Sequence, residues 1–268
     1  MTSRCIVGFD GTESSRAALK WAITRAERDG LHIVIVTVAE EEAGLMGSDF
    51  AEQARDAAAH LLADTVASVH HDHPALEADG RLLEGSAAWD LVALATADDL
   101  LVVGTRPVGD IHSTALGSRS VQVAANAICD VFVVPEGDLS DRHGVVAGVR
   151  DGDDVAAIVA AAAREAAGSG DDLLVLHCED AESPADSTAG ADAVLQSALD
   201  ACREIHPSLM VRFRRSGKPA AEALAAESRR VAAVVLGPTS FDPLSSPIGS
   251  VTHELLVNAS AVVLIARD

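Results

Sequence analysis

Tyrosine is absent from this chain and lysine nearly so. Its 268 residues include five Phe and two Trp, aromatics make up 3% in all, and the only lysines are Lys20 and Lys218. A core short of aromatic bulk must be filled by Ala, Val, Leu and Ile, and 49% hydrophobic residues suffice to build one, which excludes a disordered chain. The scarcity of positive charge excludes a second class. Lys and Arg number 20 against 41 Asp and Glu, a formal net charge of −21. Polyanions are held by clustered cations that displace counterions, so neither nucleic acid nor an anionic membrane surface is expected as a partner. The acidity reads as solubility in a crowded cytoplasm or as attraction for a basic partner. Arg214, Arg215 and Lys218 make a small basic patch that reads as a rim.

Other absences narrow the field further. Cys5, Cys129, Cys178 and Cys202 form no CxxC pair and no metal-ligand spacing, so buried thiols in a reducing compartment are expected. No apolar run approaches the roughly 18 residues needed to cross a bilayer, and the opening MTSRCIVGFDG runs into a strand without a leader pattern. A cytoplasmic protein is the expectation. There is no Walker A loop, no G-x-G-x-x-G, no SGGxDS loop and no nucleophile–base–acid arrangement, so no catalytic residue is assigned. His70, His71 and His73 end a helical stretch before Pro74, where adjacent side chains diverge, so they read as a solvated helix terminus and no metal site is assigned.

What is present is a repeat. RCIVGF (4–9) ends at Asp10-Gly11, and GVVAGV (144–149) is followed by Arg150-Asp151-Gly152. An Ala-rich helical stretch follows each, then the apolar runs HIVIVTVAE (32–40) and DLLVLHCED (172–180), then an acidic loop and a long helix (50–70 and 188–206). The later halves match better: LLVVGTR with AVVLGPT, and LGSRSVQVAANAICDVFVVPE with IGSVTHELLVNASAVVLIARD. Gly85 and Gly217, Gly104 and Gly237, and Gly117 and Gly249 lie 132, 133 and 132 residues apart. That near-constant offset implies duplication. The polar segment from Glu136 to His143 separates the copies, giving domains 1–138 and 143–268.

Each copy reads βαβαβαβαβ. Apolar strands alternating with helices imply an α/β fold: two tandem doubly wound open parallel-sheet domains of five strands each, with helices on both faces. The last strands, Val131–Pro135 and Ala261–Ala266, are apolar and expected at sheet edges, where pairing across the duplication would produce a pseudo-dimer. In such sheets ligands bind beyond the strand carboxyl ends where strand order reverses. Asp10 lies there, either as a hydrogen-bond acceptor for a ligand or as part of a turn in which Gly11-Thr12-Glu13-Ser14 caps the next helix. The loop Gly104-Thr105-Arg106-Pro107 follows the fourth strand. Gly117-Ser118-Arg119-Ser120 opens the last helix, where free N–H groups and the positive helix end suit a phosphate.

These features together resemble the universal stress proteins: the opening strand with Asp-Gly, the G-x-P-like segment before the third helix, the V-V-G strand end and G-S-x-[ST] before the last helix. The resemblance covers nearly the whole chain, twice. It implies an adenine-nucleotide site, for ATP or AMP with magnesium, with the motif G-x2-G-x9-G-[ST] around the phosphates, the first-strand aspartate near the adenosine and a backbone contact from the second strand to adenine. Carried onto this chain, it assigns Asp10, Val38, Val103, Gly104, Gly117, Ser118 and Ser120 in the first copy. Pro107 replaces the second motif glycine, though the nine-residue spacing to Gly117 is kept; Arg119 stands where the family usually has a small apolar residue. Arg106, His112 and Arg119 either lend charge to a phosphate or are solvated loop residues. The second copy offers Asp151, Cys178, Leu236, Gly237, Gly249, Ser250 and Thr252, with Ser240 for the second glycine and a spacing one residue short, so its site is expected to be weaker or lost. The leading expectation is a stress-response sensor that binds adenine nucleotide. The alternatives are an interaction module without nucleotide and a weak ATP hydrolase; the partners implied are the nucleotide, the intramolecular pseudo-dimer and, as an open question, a homodimer.

Overall fold

The structure is a computed structural model. It describes residues 3–40, 48–106, 119–150, 154–178, 188–237 and 248–267, which carry ten strands and eight helices. The chain divides into two compact units, Met1–Gly137 and Asp138–Asp268.

Unit 1 runs β1 (Arg4–Gly8), α1 (Glu13–Asp29), β2 (His32–Glu40), α2 (Ser48–Asp72), β3 (Ala78–Gly85), α3 (Ala87–Leu94), β4 (Leu100–Thr105), α4 (Arg119–Asn126) and β5 (Asp130–Pro135). Its strand order is β3-β2-β1-β4-β5, with every pair parallel. Unit 2 repeats the series as β6 (Val145–Val149), α5 (Val155–Ser169), β7 (Leu173–Cys178), α6 (Thr188–Ile205), β8 (Val211–Ser216), α7 (Ala220–Ser228), β9 (Ala233–Leu236), α8 (Ser250–Asn258) and β10 (Val262–Ile265). Its order is β8-β7-β6-β9-β10, again all parallel.

Local signals explain the helix bounds. Thr12 caps α1 by accepting from the Ser15 amide, and Asp154 caps α5 by accepting from Ala157. Both helices end on a left-handed glycine, Gly30 at φ 66° and Gly170 at φ 73°. The residue after each, Leu31 and Asp171, donates back to Ala26 and Ala166. Ala18, Leu19, Ala22, Ile23 and Ala26 recur at three- and four-residue spacing and form the buried stripe of α1.

Helices cover both sheet faces. A Cβ added at Gly104 would meet α1 and one at Gly80 would meet Leu62 and Val66 of α2, whereas one at Gly8 would meet Leu91 of α3 on the other face. The central strands are almost wholly buried, as double coverage demands. The few aromatics are concentrated: Trp21 of α1 packs on Phe132 of β5 at a centroid distance of 4.7 Å, and the Arg25 guanidinium lies 5.1 Å from the Phe132 ring centre.

The ladders refine the repeat. Cys5 pairs with Ile33 as Val145 pairs with Leu173, an offset of 140 residues, while Cys5 with Leu100 corresponds to Val145 with Ala233, where β4 and β9 are 133 apart. The loss falls between the second and third strands, where α2 has 25 residues and α6 has 18. All four cysteines are buried and outside any disulfide, and burial pushes the Cys5 thiol up to about 12, as expected of structural thiols.

Candidate functional site

The strand order reverses between β1 and β4. Their ladder ends at Val7 with Val102, after which β4 continues to Thr105 beside β5. On the other side, β1 leaves β2 at Gly8 with Val36, closed by the Phe9 amide donating to the Val36 carbonyl, and β2 runs on to Glu40 beside β3 alone. The crevice at a topological switch point is therefore bounded by Asp10, the end of β2 and the end of β4. Val38 stands on the part of β2 that has outrun β1, half-buried.

Asp10 is exposed at the mouth of this crevice. Its Oδ1 accepts from the Thr12 amide at 3.0 Å and from the Thr12 hydroxyl at 2.6 Å, which leaves Oδ2. Thr12 Oγ1 accepts in turn from the Ser15 amide, and the Ser15 hydroxyl accepts from the Asp10 amide at 3.4 Å and donates to the Thr12 carbonyl at 3.0 Å. Asp10 therefore braces the cap of α1 without being the cap. Desolvation raises its pKa, but the Thr12 hydroxyl and amide, the Ser15 hydroxyl and the charge of Arg119 outweigh it and hold the carboxyl below its ordinary value. The chain presents a carboxylate, fixed by one oxygen, at the switch point.

The Val103 side chain is buried. Gly104 is explained by packing: a Cβ there would collide with the Ser14 carbonyl and come within 2.9 Å of the Ser15 nitrogen, so only glycine lets the first turn of α1 settle on β4. Ser120 is turned inward in the first turn of α4, its hydroxyl 3.5 Å from that of Thr105. Arg119 points outward and pairs with Glu40 at 2.6 Å; Arg106 pairs with Glu136 at 3.1 Å. Gly117, Ser118, Pro107 and His112 lie outside the described residues.

In unit 2, Asp151 also lies outside the described residues. By the ladder offset, Arg150 takes the place of Asp10. Cys178 and Leu236 are buried at their strand ends. Gly237 is less constrained than Gly104, because among the described residues a Cβ there would meet a side chain rather than backbone, Ile158 at 2.6 Å to Cδ1 and 2.8 Å to Cγ1. Gly249 caps α8, Ser250 is exposed, and Thr252 is 1% exposed with its hydroxyl unpartnered. Its counterpart Ser120 has Thr105 opposite.

A cavity of about 1040 Å³ opens at the other end of unit 1, lined by Arg4, Glu27, His32, Glu77, Asp98 and Asp99 among others. Within it Arg4 pairs with Asp99, while Glu27 and His32 pair with His73 and Asp79 outside its lining. His70 bonds the Ala78 carbonyl at 2.8 Å, and no group of three metal-binding side chains occurs among the described residues. Arg214 and Lys218 are held by Glu227 and Glu222. No described helix is long and apolar enough to cross a membrane. Glu40 is the residue of the mouth that sequence reasoning passed over. Glu40 is the polar end of an apolar strand and carries no motif, and only its partner 79 residues away marks it.

Fold and mouth define a tandem doubly wound α/β protein whose first switch point carries a fixed carboxylate. The profile of the universal stress protein family matches residues 1–135. A universal stress protein of Mycobacterium tuberculosis is 25% identical over 272 aligned positions that cover 98% of this chain and 95% of the relative. One from Thermus aquaticus is 29% identical over 140 positions, 50% of this chain but 99% of that protein, as a single unit would be. The crystal structure of a universal stress protein from Archaeoglobus fulgidus superposes with a TM-score of 0.75 at 15% identity, covering 100% of this chain and 99% of the other. The chain belongs to the universal stress protein family.

Proposed function

We propose that the protein is a stress-response sensor that binds an adenine nucleotide, ATP or AMP, at the carboxyl end of the unit 1 sheet. The observation that carries this reading is Asp10: an ionised carboxylate at the strand-order reversal, held through Oδ1 with Oδ2 left for a ligand. A ribose hydroxyl or an adenine amino group is the donor such an oxygen takes. The open edge of β2 at Val38 offers main-chain groups to the base, and Gly117-Ser118 ahead of α4 offers amides to the phosphates. Binding biases the shape of unit 1 and so signals; no reaction is assigned.

The test is mass spectrometry of small molecules released from the denatured protein, followed by calorimetric titration with ATP and AMP. Co-purified or titratable nucleotide is expected. Gly117→Val should weaken binding by about one to two decades by obstructing the phosphate, Asp10→Ala by less, and the control Gly249→Val hardly at all. An empty protein that also fails to bind either nucleotide would sink the reading and leave an interaction module, which Pro107 and Ser240 in the motif's glycine positions favour.

A further inference from the structure

Three charges meet at the mouth of unit 1, and they come from three distant parts of the chain. Asp10 follows β1, Glu40 ends β2, and Arg119 opens α4. In the strand row β1 lies between β2 and β4, and α4 packs on β4, β5 and α3. The Arg119 side chain therefore reaches past the end of β1 to the end of β2. Its Nη2 is 2.6 Å from both Glu40 oxygens, and its charge bears on Asp10 as well. The pair is accessible, with the Arg119 side chain 59% and the Glu40 side chain 34% exposed. An exposed pair of this kind adds little to stability and is readily exchanged. Glu40 pairs with this guanidinium and Asp10 feels its charge, and both carboxylates oppose a phosphate chain.

From this geometry we infer that Arg119 selects for the phosphate chain of the nucleotide, with Glu40 holding it in reserve across the mouth until phosphate displaces the carboxylate. The inference rests on the proposed nucleotide site. A guanidinium takes phosphate as readily as carboxylate, so the exchange replaces one charged acceptor with another. Unit 2 supplies an internal contrast, because Val251 stands in the place of Arg119 and offers no cation. Affinity at unit 1 should therefore climb from adenosine through AMP to ATP.

The experiment is calorimetric titration of the full chain with adenosine, AMP and ATP, for the wild type, Arg119→Met, Arg119→Lys and Glu40→Gln, each checked for fold by circular dichroism. Wild type should prefer ATP to adenosine by at least about tenfold. Arg119→Met should cost about ten- to a hundredfold for ATP and under about twofold for adenosine, and Arg119→Lys should restore part of the loss. Glu40→Gln should raise ATP affinity about two- to fivefold, because it frees the guanidinium and removes a repelling charge, and leave adenosine unchanged. Equal affinity of wild type for adenosine and ATP, or equal losses for both in Arg119→Met, overturns the role of Arg119 while the nucleotide site stands. So does a fall in ATP affinity in Glu40→Gln, a readout that holds even if the Arg119 variants misfold. Failure of all three ligands to bind wild type overturns both.

Discussion

The two units solve the same construction problems with different parts. At the amino-terminal edge of the sheet, unit 1 joins β1 to β4 through Arg4 and Asp99: Asp99 is 3% exposed and accepts from the Arg4 amide and guanidinium and from the Thr96 amide and hydroxyl. At the matching position unit 2 has Gly144 and Ala232, and the Ala232 amide donates to the Gly144 carbonyl at 3.0 Å. At the carboxyl edge, unit 1 has Asp10, the tightly packed Gly104 and the Ser120–Thr105 contact; unit 2 has Arg150, a looser Gly237 and the orphaned hydroxyl of Thr252. Duplication conserved what the sheet needs and let the polar detail of the ends diverge. That divergence is where the candidate function of unit 1 resides.

The contrast at the amino-terminal edge should break first. Asp99→Ala removes the acceptor of five hydrogen bonds in a buried setting and strands Arg4, which should cost unit 1 about 3 kcal/mol. Trp21 and Trp89 are the only tryptophans and both lie in unit 1, so urea unfolding followed by fluorescence reads that unit alone. Desolvation raises the Asp99 pKa, but the Arg4 and Thr96 bonds prevail and bring it down to about 2. A carboxyl depressed by folding contributes stability that is complete above its unfolded value, near 4, and is lost as pH falls toward 2. Fluorescence-detected stability should therefore drop over that window, and Asp99→Asn should flatten the drop. An unchanged acid profile in Asp99→Asn would mean the pair contributes nothing.

The next effect sharpens the comparison of the two strand-end glycines. Gly104→Ala drives a Cβ into the backbone of α1, which cannot yield without moving the helix, and should cost about 2 kcal/mol. Gly237→Ala presses on the Ile158 side chain, which can yield without moving backbone, and should cost about 1 kcal/mol, read by circular dichroism. Equal costs would mean that the close approach of α1 to β4 is no tighter than that of α5 to β9.

The smallest effect has opposite signs in the two units. Thr252→Val replaces a buried, unpartnered hydroxyl with a methyl of the same shape and should stabilise unit 2 by about 0.5–1 kcal/mol. Ser120→Ala removes a hydroxyl that has Thr105 within reach and should destabilise unit 1 by a similar amount. A destabilised Thr252→Val would show that this hydroxyl has a partner.

The sequence by itself determined the layout. Apolar runs, Ala-rich helical spacing, capping residues and the terminating glycines Gly30 and Gly170 are signals between near neighbours in the chain, and adjacent residues meet in any fold. The repeat, the doubly wound α/β class and the place of Asp10 at the end of β1 could therefore be read directly. What only the tertiary structure decided is how distant residues are used. Gly104 reads as a phosphate-loop glycine in the motif, yet the descent of α1 onto β4 accounts for its missing side chain. Arg119 and Glu40 are 79 residues apart and Arg4 and Asp99 are 95 apart, and no local pattern couples them. Their meeting depends on strand order and on which edge each crossover returns to, because a charge finds its partner by distance in space, which the order of residues along the chain does not state.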